Sequence, residues 1–242
     1  MKLLAFSVRN TKEIVRDPLN IAFGLGFPVV LLLMLSAIQA NIPVSIFEIQ
    51  HITPGIAVFG LSFLTLFTAT LVSRDRESAL AKRLYTTPLS ALDFILGYTI
   101  PIIPLALGET AVCFLLGMIL GLAPSWNILL CMLSILPTAF LFIALGLLFG
   151  SFLGVKQVGG ICGALLTNLS AWLSGIWFDI ELVGGVFKKI AELLPFLHAV
   201  ELERAVLVGT DGIFTHILWV LGYAVVIFAL AVFLFYRQMK KQ

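Results

Sequence analysis

Glu109 lies in the middle of a long apolar stretch, residues 97–121, where a carboxyl group could hold a proton or a cation. A charged carboxylate is costly in lipid, so this side chain must face protein or water, or stay protonated. Its residue type therefore allows an ion or proton site, part of a substrate path, or a structural hydrogen bond to a neighbouring helix. A polar stripe later in the chain could line the same cavity and consists of Asn168, Ser170 and Ser174.

A second unusual stretch is SRDRESALAKRLYTTPLS, residues 73–90, which concentrates charges between two apolar runs. Leu80 and Leu84 are four residues apart, so a helix here would carry a small apolar patch among charges, ended by Thr87-Pro88. A solvated loop would explain the basic residues, but not the interleaved acids or the proline stop. The pattern favours a short helix that docks on a partner protein. The candidate contacts are Arg74, Arg76, Glu77, Leu80, Leu84 and Pro88.

The amino-acid composition indicates that much of the chain is surrounded by lipid. Of 242 residues, 60% are hydrophobic and 12% are charged, whereas a soluble domain has about 25% charged residues. Lipid must therefore surround much of the chain. The net charge of +2 is too small to indicate a nucleic-acid partner. The three cysteines lie in apolar runs without CxxC spacing, which indicates core packing, and the three histidines are far apart in sequence. No metal site is predicted.

Six stretches are long enough to cross a bilayer, which takes about 20 helical residues. They are residues 18–40, 54–72, 97–121, 127–150, 158–177 and 214–236. Their continuous apolar character excludes barrel strands, in which apolar and polar residues alternate. The predicted fold class is therefore all-α, a polytopic membrane protein with six transmembrane helices in a single domain over residues 1–242.

Twelve of the fifteen Lys and Arg residues fall on one side of these spans. Because basic residues collect on the cytoplasmic side, both termini and the 73–90 segment are predicted to be cytoplasmic. Residues 1–17 mix charged and apolar positions as an interfacial helix does, unlike a cleaved signal peptide. Residues 178–213, on the outer side, show helical apolar spacing broken by Pro195 and are predicted to form a re-entrant hairpin.

Glycines recur at the spacing that lets helix backbones approach closely. Gly146, Gly150 and Gly154 form two overlapping GxxxG steps, and Gly117 with Gly121 forms another. The close approach could occur within one subunit or at a seam between two subunits.

The charged segment resembles the cytoplasmic loop of ABC-2-type permeases, the membrane subunits of many bacterial ABC exporters. The matching residues are Arg74-x-Arg76-Glu77, then Leu84, Thr87-Pro88 and Ile95-Leu96-Gly97. LPFLHAVELERAVLVG, residues 194–209, resembles the outer segment that precedes the last span of this family. The interfacial helix, the six spans and the outer hairpin extend the likeness over essentially the whole chain. One departure is Ser78, which stands where a second acid is often found and leaves Glu77 as the main acidic contact.

The resemblance implies a permease subunit of an ATP-driven exporter in the bacterial inner membrane, not an enzyme. Two such subunits, identical or homologous, would pair, and each would dock on a separate ABC ATPase through residues 73–90. ATP and Mg²⁺ would be bound by that ATPase, with no cofactor held directly by this chain. The sequence agrees, because the phosphate-binding pattern GxxxxGK[ST] does not occur in it. An amphipathic substrate, such as a drug, an antimicrobial peptide or a lipid-like molecule, would leave the cytoplasm.

A different class of transporter is the alternative. A self-contained secondary transporter would use Glu109 as its ion site. Such proteins commonly carry internal repeats with broken helices in matching places. The two halves of this sequence show no convincing repeat, which favours the ATP-driven interpretation.

Overall fold

The computed structural model describes residues 2–42, 47–78 and 91–239, and the regular structure of these residues is helical. Helix α1 is Lys2–Val15. Helix α2 begins as Pro18–Ile21, passes through a π-helical turn at Ala22–Gly26 and ends as Phe27–Gln39. The next helices are α3 (Ile49–Glu77), α4 (Ala91–Thr99), α5 (Ile103–Ile119) and α6 (Trp126–Phe152). Helix α7 joins Val155–Val158, a π-helical run Gly159–Leu166 and Thr167–Trp172, and α8 (Ile180–Val183), α9 (Gly185–Leu193), α10 (Pro195–Val208) and α11 (Ile213–Met239) complete the chain.

Five helical runs in the described part are long and apolar enough to cross a membrane. They are Ala22–Gln39, Ile49–Glu77, Leu92–Ile119, Trp126–Phe152 and Ile213–Arg237. The predicted fold class, an all-α polytopic membrane protein, is confirmed. The sixth predicted span, 158–177, corresponds to α7, whose continuous helix covers residues 155–172. Its crossing of the membrane stays a prediction.

Helix α3 is the centre of the fold, and every residue from Ile52 to Thr65 is buried. An apolar helix that is covered on all sides needs neighbours on all sides. Helices α2, α5, α6, α7 and α10 all pack against it. The closest approach is to α6, where the Thr65 hydroxyl donates to the carbonyl of Phe142 over 2.8 Å. A movement of α3 would therefore displace most of the helices that pack against it.

Small residues make that approach possible. A Cβ atom on Gly150 would lie 2.9 Å from the backbone of Ala69, and one on Gly146 would lie 2.8 Å from the Thr65 carbonyl oxygen. A Cβ atom on Gly117, in α5, would lie 2.8 Å from the side chain of Thr53. These GxxxG glycines serve packing within one subunit, which is the first of the two interpretations given above.

Helix α1 packs over α4. The ring of Phe6 fills the space above Gly97, where an added Cβ atom would lie 2.3 Å away. Its centroid lies 5.6 Å and 5.0 Å from those of Phe94 and Tyr98, both edge-to-face. Asn10 is fully buried and donates to the Gly97 carbonyl over 2.9 Å. The predicted interfacial helix is therefore joined to the start of the third span by packing as well as by polar contacts.

Two boundaries differ from the sequence prediction. Helix α3 continues five residues beyond position 72 and ends at Glu77, so the first part of the 73–90 segment extends the second span. The third span is divided into α4 and α5 around Pro101 and Pro104, because proline lacks the N–H that a continuous helix would use.

In the outer segment, α9 and α10 meet at Pro195, as its helix-breaking position predicts. Leu194 ends one helix in an extended conformation, and Pro195 occupies the first turn of the next, where its missing N–H costs nothing. Helix α10 is buried along most of its length against α3, α6 and α11. The description of this segment as re-entrant stays a prediction.

Candidate functional site

The last turn of α3 contacts α1, α4 and the turn between α6 and α7. Asp75 is buried, with 4% of its surface exposed, although it is charged. It accepts a hydrogen bond from the Arg9 guanidinium of α1 and another, 3.0 Å long, from the Tyr98 hydroxyl of α4. Burial lowers the pKa of Arg9, but the hydrogen bond and the charge of Asp75 outweigh it and raise the pKa above its usual value. We call Arg9, Asp75 and Tyr98 the Asp75 network.

The next two residues bind the turn between α6 and α7. Arg76 donates to the carbonyl of Ser151 over 2.8 Å and also to that of Leu153. Glu77 accepts from the backbone N–H of Val155 over 3.0 Å. Sequence reasoning assigned both side chains to ATPase docking, and the structure shows them in contact with their own chain.

The remaining docking candidates divide into two groups. Arg74 is exposed and lies 3.4 Å from Asp17, a surface pair of the kind that contributes little to stability. Leu80, Leu84 and Pro88 lie outside the described residues. The docking role of the 73–90 segment therefore stays a prediction.

Glu109 lies inside the protein and does not face lipid. Only 2% of its surface is exposed, and its Oε1 atom lies 3.3 Å from the Cys113 sulfur. Gly60 of α3 makes room for the carboxyl group, since a Cβ atom there would lie 2.0 Å from Oε1 and 2.8 Å from Pro28 of α2. The other oxygen, Oε2, has no hydrogen-bond partner among the described residues. Glu109 thus occupies the junction of α2, α3 and α5.

The polar stripe consists of two residues of α7 and of Ser174, which follows the helix. Ser170 and Ser174 are buried and donate to carbonyls of α7, those of Thr167 at 2.9 Å and Ala171 at 3.0 Å. Asn168 is on the exposed side and donates to the Ala164 carbonyl over 2.8 Å. A shared cavity with Glu109 stays a prediction.

At the end of the molecule opposite the Asp75 network, Arg204 of α10 contacts three elements. It is 8% exposed and donates to the carbonyls of Gly175, after α7, at 3.1 Å and of His51, in α3, at 3.3 Å. It also pairs with Glu201 at 2.8 Å. Gly175 has φ +70, a left-handed conformation that suits glycine and directs its carbonyl at the guanidinium. A cavity of about 390 Å³ opens beside these residues.

We expect Arg204→Lys to lower the stability of the protein by about 1 kcal/mol, because a single ammonium group cannot replace the planar guanidinium at both carbonyls. The measurement is thermal unfolding of the detergent-purified protein. Arg237→Lys, an exposed substitution at the other end of the molecule, is the control and should leave the midpoint unchanged. Equal midpoints for both variants would contradict the structural role of Arg204.

Two polar contacts were not predicted from the sequence. Glu203 is fully buried, and its Oε1 accepts from the Ser134 hydroxyl of α6 over 2.8 Å. His198 and His216, 18 residues apart, meet with their Nδ1 atoms 3.0 Å from each other. Helical periodicity signals the burial of Glu203, since Val200 and Leu207 lie on the same side of α10. Within the described ranges, no group of three or more His, Cys, Asp or Glu residues could hold a metal ion.

Comparison with known proteins identifies the family. Residues 1–208 match the sequence profile of the family described as ABC-2 type transporter. Nodulation protein J of Sinorhizobium fredii (strain NBRC 101917 / NGR234) is 26% identical over 228 residues, which cover 92% of this chain and 84% of that protein. The resemblance drawn from the 73–90 segment and the outer segment is thereby confirmed, and the chain belongs to the ABC-2 type transporter family.

Proposed function

We propose that this permease subunit exports an amphipathic substrate, driven by a separate ABC ATPase that docks on its cytoplasmic face. Two permease chains, identical or homologous, would form the path across a bacterial inner membrane, with both termini in the cytoplasm. ATP and Mg²⁺ would be held by the ATPase.

The observation that carries the proposal is the linkage of the last turn of α3. The helix that leads into the docking segment is bonded through Asp75 to α1 and α4, and through Arg76 and Glu77 to the turn before α7. Packed helices move as rigid bodies. A force applied to residues 73–90 would therefore reach several membrane helices at once, as an exporter driven from the cytosol requires.

An aromatic cluster, formed by Phe27, Phe59, Phe63 and Trp177, supports the choice of an amphipathic substrate. Phe27 of α2, 37% exposed, packs against Phe59 and Phe63 of α3 with ring centroids 6.1 Å and 5.6 Å apart. Trp177, after α7, lies 5.9 Å from Phe59. Aromatic rings offer a large contact area without fixed hydrogen-bond geometry, which suits molecules that are mainly apolar.

The second permease would cover the apolar sides of α2 and α7. The exposed residues recur three and four positions apart, so each helix presents them on one side. They are Phe23, Phe27, Val30 and Met34 in α2 and Leu165, Leu169 and Trp172 in α7. Both helices lie against α3, so pairing here would bring the aromatic cluster close to the subunit boundary.

Co-purification tests the docking. A tagged wild-type chain should bring down a soluble ABC-type ATPase, and Leu84→Asp should weaken that association about tenfold, because a charge would enter an apolar groove. The matched control is Leu182→Asp, an exposed leucine of the outer segment, which should bind the ATPase as wild type does. Undiminished binding by Leu84→Asp, or absence of any ATPase with wild type, would contradict the docking.

One observation favours the alternative, a secondary transporter. The Oε2 of Glu109 has no hydrogen-bond partner within the described ranges, and a buried carboxyl oxygen of this kind can bind a proton or a cation. Transport that persists without ATP and disappears in Glu109→Gln would favour it. The proposal made here expects the reverse, namely that ATP is required and that Glu109→Gln still transports.

A further inference from the structure

The end of α3 caps two other helices. Ser151 and Leu153 carry carbonyls at the C-terminus of α6, and Arg76 donates to both. Glu77, the next residue, accepts from the N–H of Val155, the first residue of α7. The last carbonyls and first N–H groups of a helix have no partner within that helix. Consecutive side chains of α3 thus supply partners to the end of one helix and the start of the next.

Both charges have the favourable sign. A helix carries a partial negative charge at its C-terminus and a partial positive charge at its N-terminus. The cation of Arg76 lies at the C-terminus of α6, and the anion of Glu77 at the N-terminus of α7. The N-cap residue of α7 is Gly154, which has no side chain of its own. A Cβ atom on Gly154 would lie 3.1 Å from the Glu77 carboxylate. The absence of a side chain at Gly154 therefore leaves room for Glu77, which lies 78 residues before Val155 in the sequence, to cap the helix.

The start of α7 also packs on α3. Val158 and Cys162 are fully buried and form a small apolar cluster with Ala69 of α3 and Leu153. Immediately after Val158 the helix becomes π-helical, over Gly159–Leu166. π-Helical turns are short interruptions of the regular α-helical hydrogen-bond pattern and are frequent at functional positions. The packing of α7 on α3 therefore continues from its first turn into the π-helical run.

We infer that Arg76 and Glu77 are coupling residues, which fasten the α6–α7 turn to the end of α3 and so transmit movement of the docking segment to α7, and that they are not ATPase contacts. The inference rests on the proposed function. It divides the 73–90 segment into two parts. Residues 76 and 77 hold the permease together internally, whereas contact with the ATPase falls to residues further along the segment.

Removal of either cap should leave the fold intact. Glu77 is exposed and Arg76 is only partly buried, so each bond competes with water. Glu77→Ala, Arg76→Ala and Glu77→Gln are therefore suitable variants. The amide oxygen of Gln can still accept from the Val155 N–H, so Glu77→Gln is the conservative variant that should restore function. Lys156→Ala is the control, because Lys156 is an exposed charge next to Val155 in the first turn of α7 and is not one of the two capping residues.

The experiment uses the full chain reconstituted in liposomes with its co-purified ATPase, and the probe is a fluorescent amphipathic dye that the wild-type complex transports. We expect Glu77→Ala and Arg76→Ala to retain the ATPase at wild-type level while dye transported per ATP hydrolysed falls about tenfold. Glu77→Gln and Lys156→Ala should stay within about twofold of wild type. Loss of the ATPase from Glu77→Ala would overturn the inference by making Glu77 a contact residue. Unchanged transport per ATP in both alanine variants would overturn it equally. A wild-type chain that brings down no ATPase would instead overturn the proposed function itself.

Discussion

Alanine at Gly150 should destabilise the protein by about 3 kcal/mol, at the upper end of the cost of overpacking. The added methyl group would lie 2.8 Å from the Cβ of Val72 and 2.9 Å from both Cα and the carbonyl oxygen of Ala69. Backbone atoms cannot turn aside as a flexible side chain can, so α6 must move away from α3. The measurement is the thermal unfolding midpoint of the detergent-purified protein, together with its yield from the membrane.

Gly108→Ala is the matched control for this substitution. Gly108 also lies in a membrane helix, α5, but a Cβ atom there would meet no atom within 4 Å. Alanine favours helix over glycine by about 1 kcal/mol, so this variant should unfold at the wild-type temperature or above it. If Gly150→Ala proved as stable as Gly108→Ala, the close contact between α3 and α6 would be refuted.

Asp75→Ala should cost about 3 kcal/mol, at the low end for breaking a buried ion pair because Arg9 is partly exposed. The substitution leaves the Arg9 guanidinium and the Tyr98 hydroxyl without their common acceptor. Since the Asp75 network holds α1 against α3 and α4, we also expect ATP-driven transport to be lost. Thermal unfolding and dye uptake by the reconstituted complex measure the two effects.

A double-mutant cycle separates this pair from its surroundings. Arg9→Ala with Asp75→Ala should be more stable than the sum of the single effects predicts, with a coupling of about 1–2 kcal/mol, because the double variant leaves no unpaired charge. The exposed pair Asp17 and Arg74 provides the comparison and should show a coupling below about 0.5 kcal/mol. Additive effects of Arg9→Ala and Asp75→Ala would show that the two groups do not interact.

The membrane helices could be predicted from sequence because their signal is local. About 20 apolar residues in succession are enough to indicate a span, and Pro195 was enough to divide the outer segment. The end of α3 could not be predicted in this way. Charges mark where lipid ends, and a helix can continue beyond that point, as α3 does from position 72 to Glu77. The charged segment begins at residue 73, but the helix of the second span ends only at Glu77.

The contacts of the site were beyond sequence reasoning for a different reason. Asp75 and Arg9 are 66 residues apart, and Glu77 and Val155 are 78 apart, so no spacing rule connects them. The polar stripe of α7 is an exception, because residues 168 and 170 lie about 200° apart around a helix. Periodicity alone therefore separates Asn168 from Ser170. Glu109 was expected to face protein or water, or to stay protonated. It lies inside the protein, and its neighbour Gly60 could be identified only from the packing.

The most direct test of the central claim is the energy source of transport. The tagged chain, purified with whatever it binds and reconstituted in liposomes, is given ATP, a non-hydrolysable ATP analogue or an ion gradient, and movement of amphipathic dyes and lipids is recorded. The account predicts transport with hydrolysable ATP only, in preparations that contain an ABC ATPase. Transport at full rate from the chain alone, driven by an ion gradient without ATP, would contradict it.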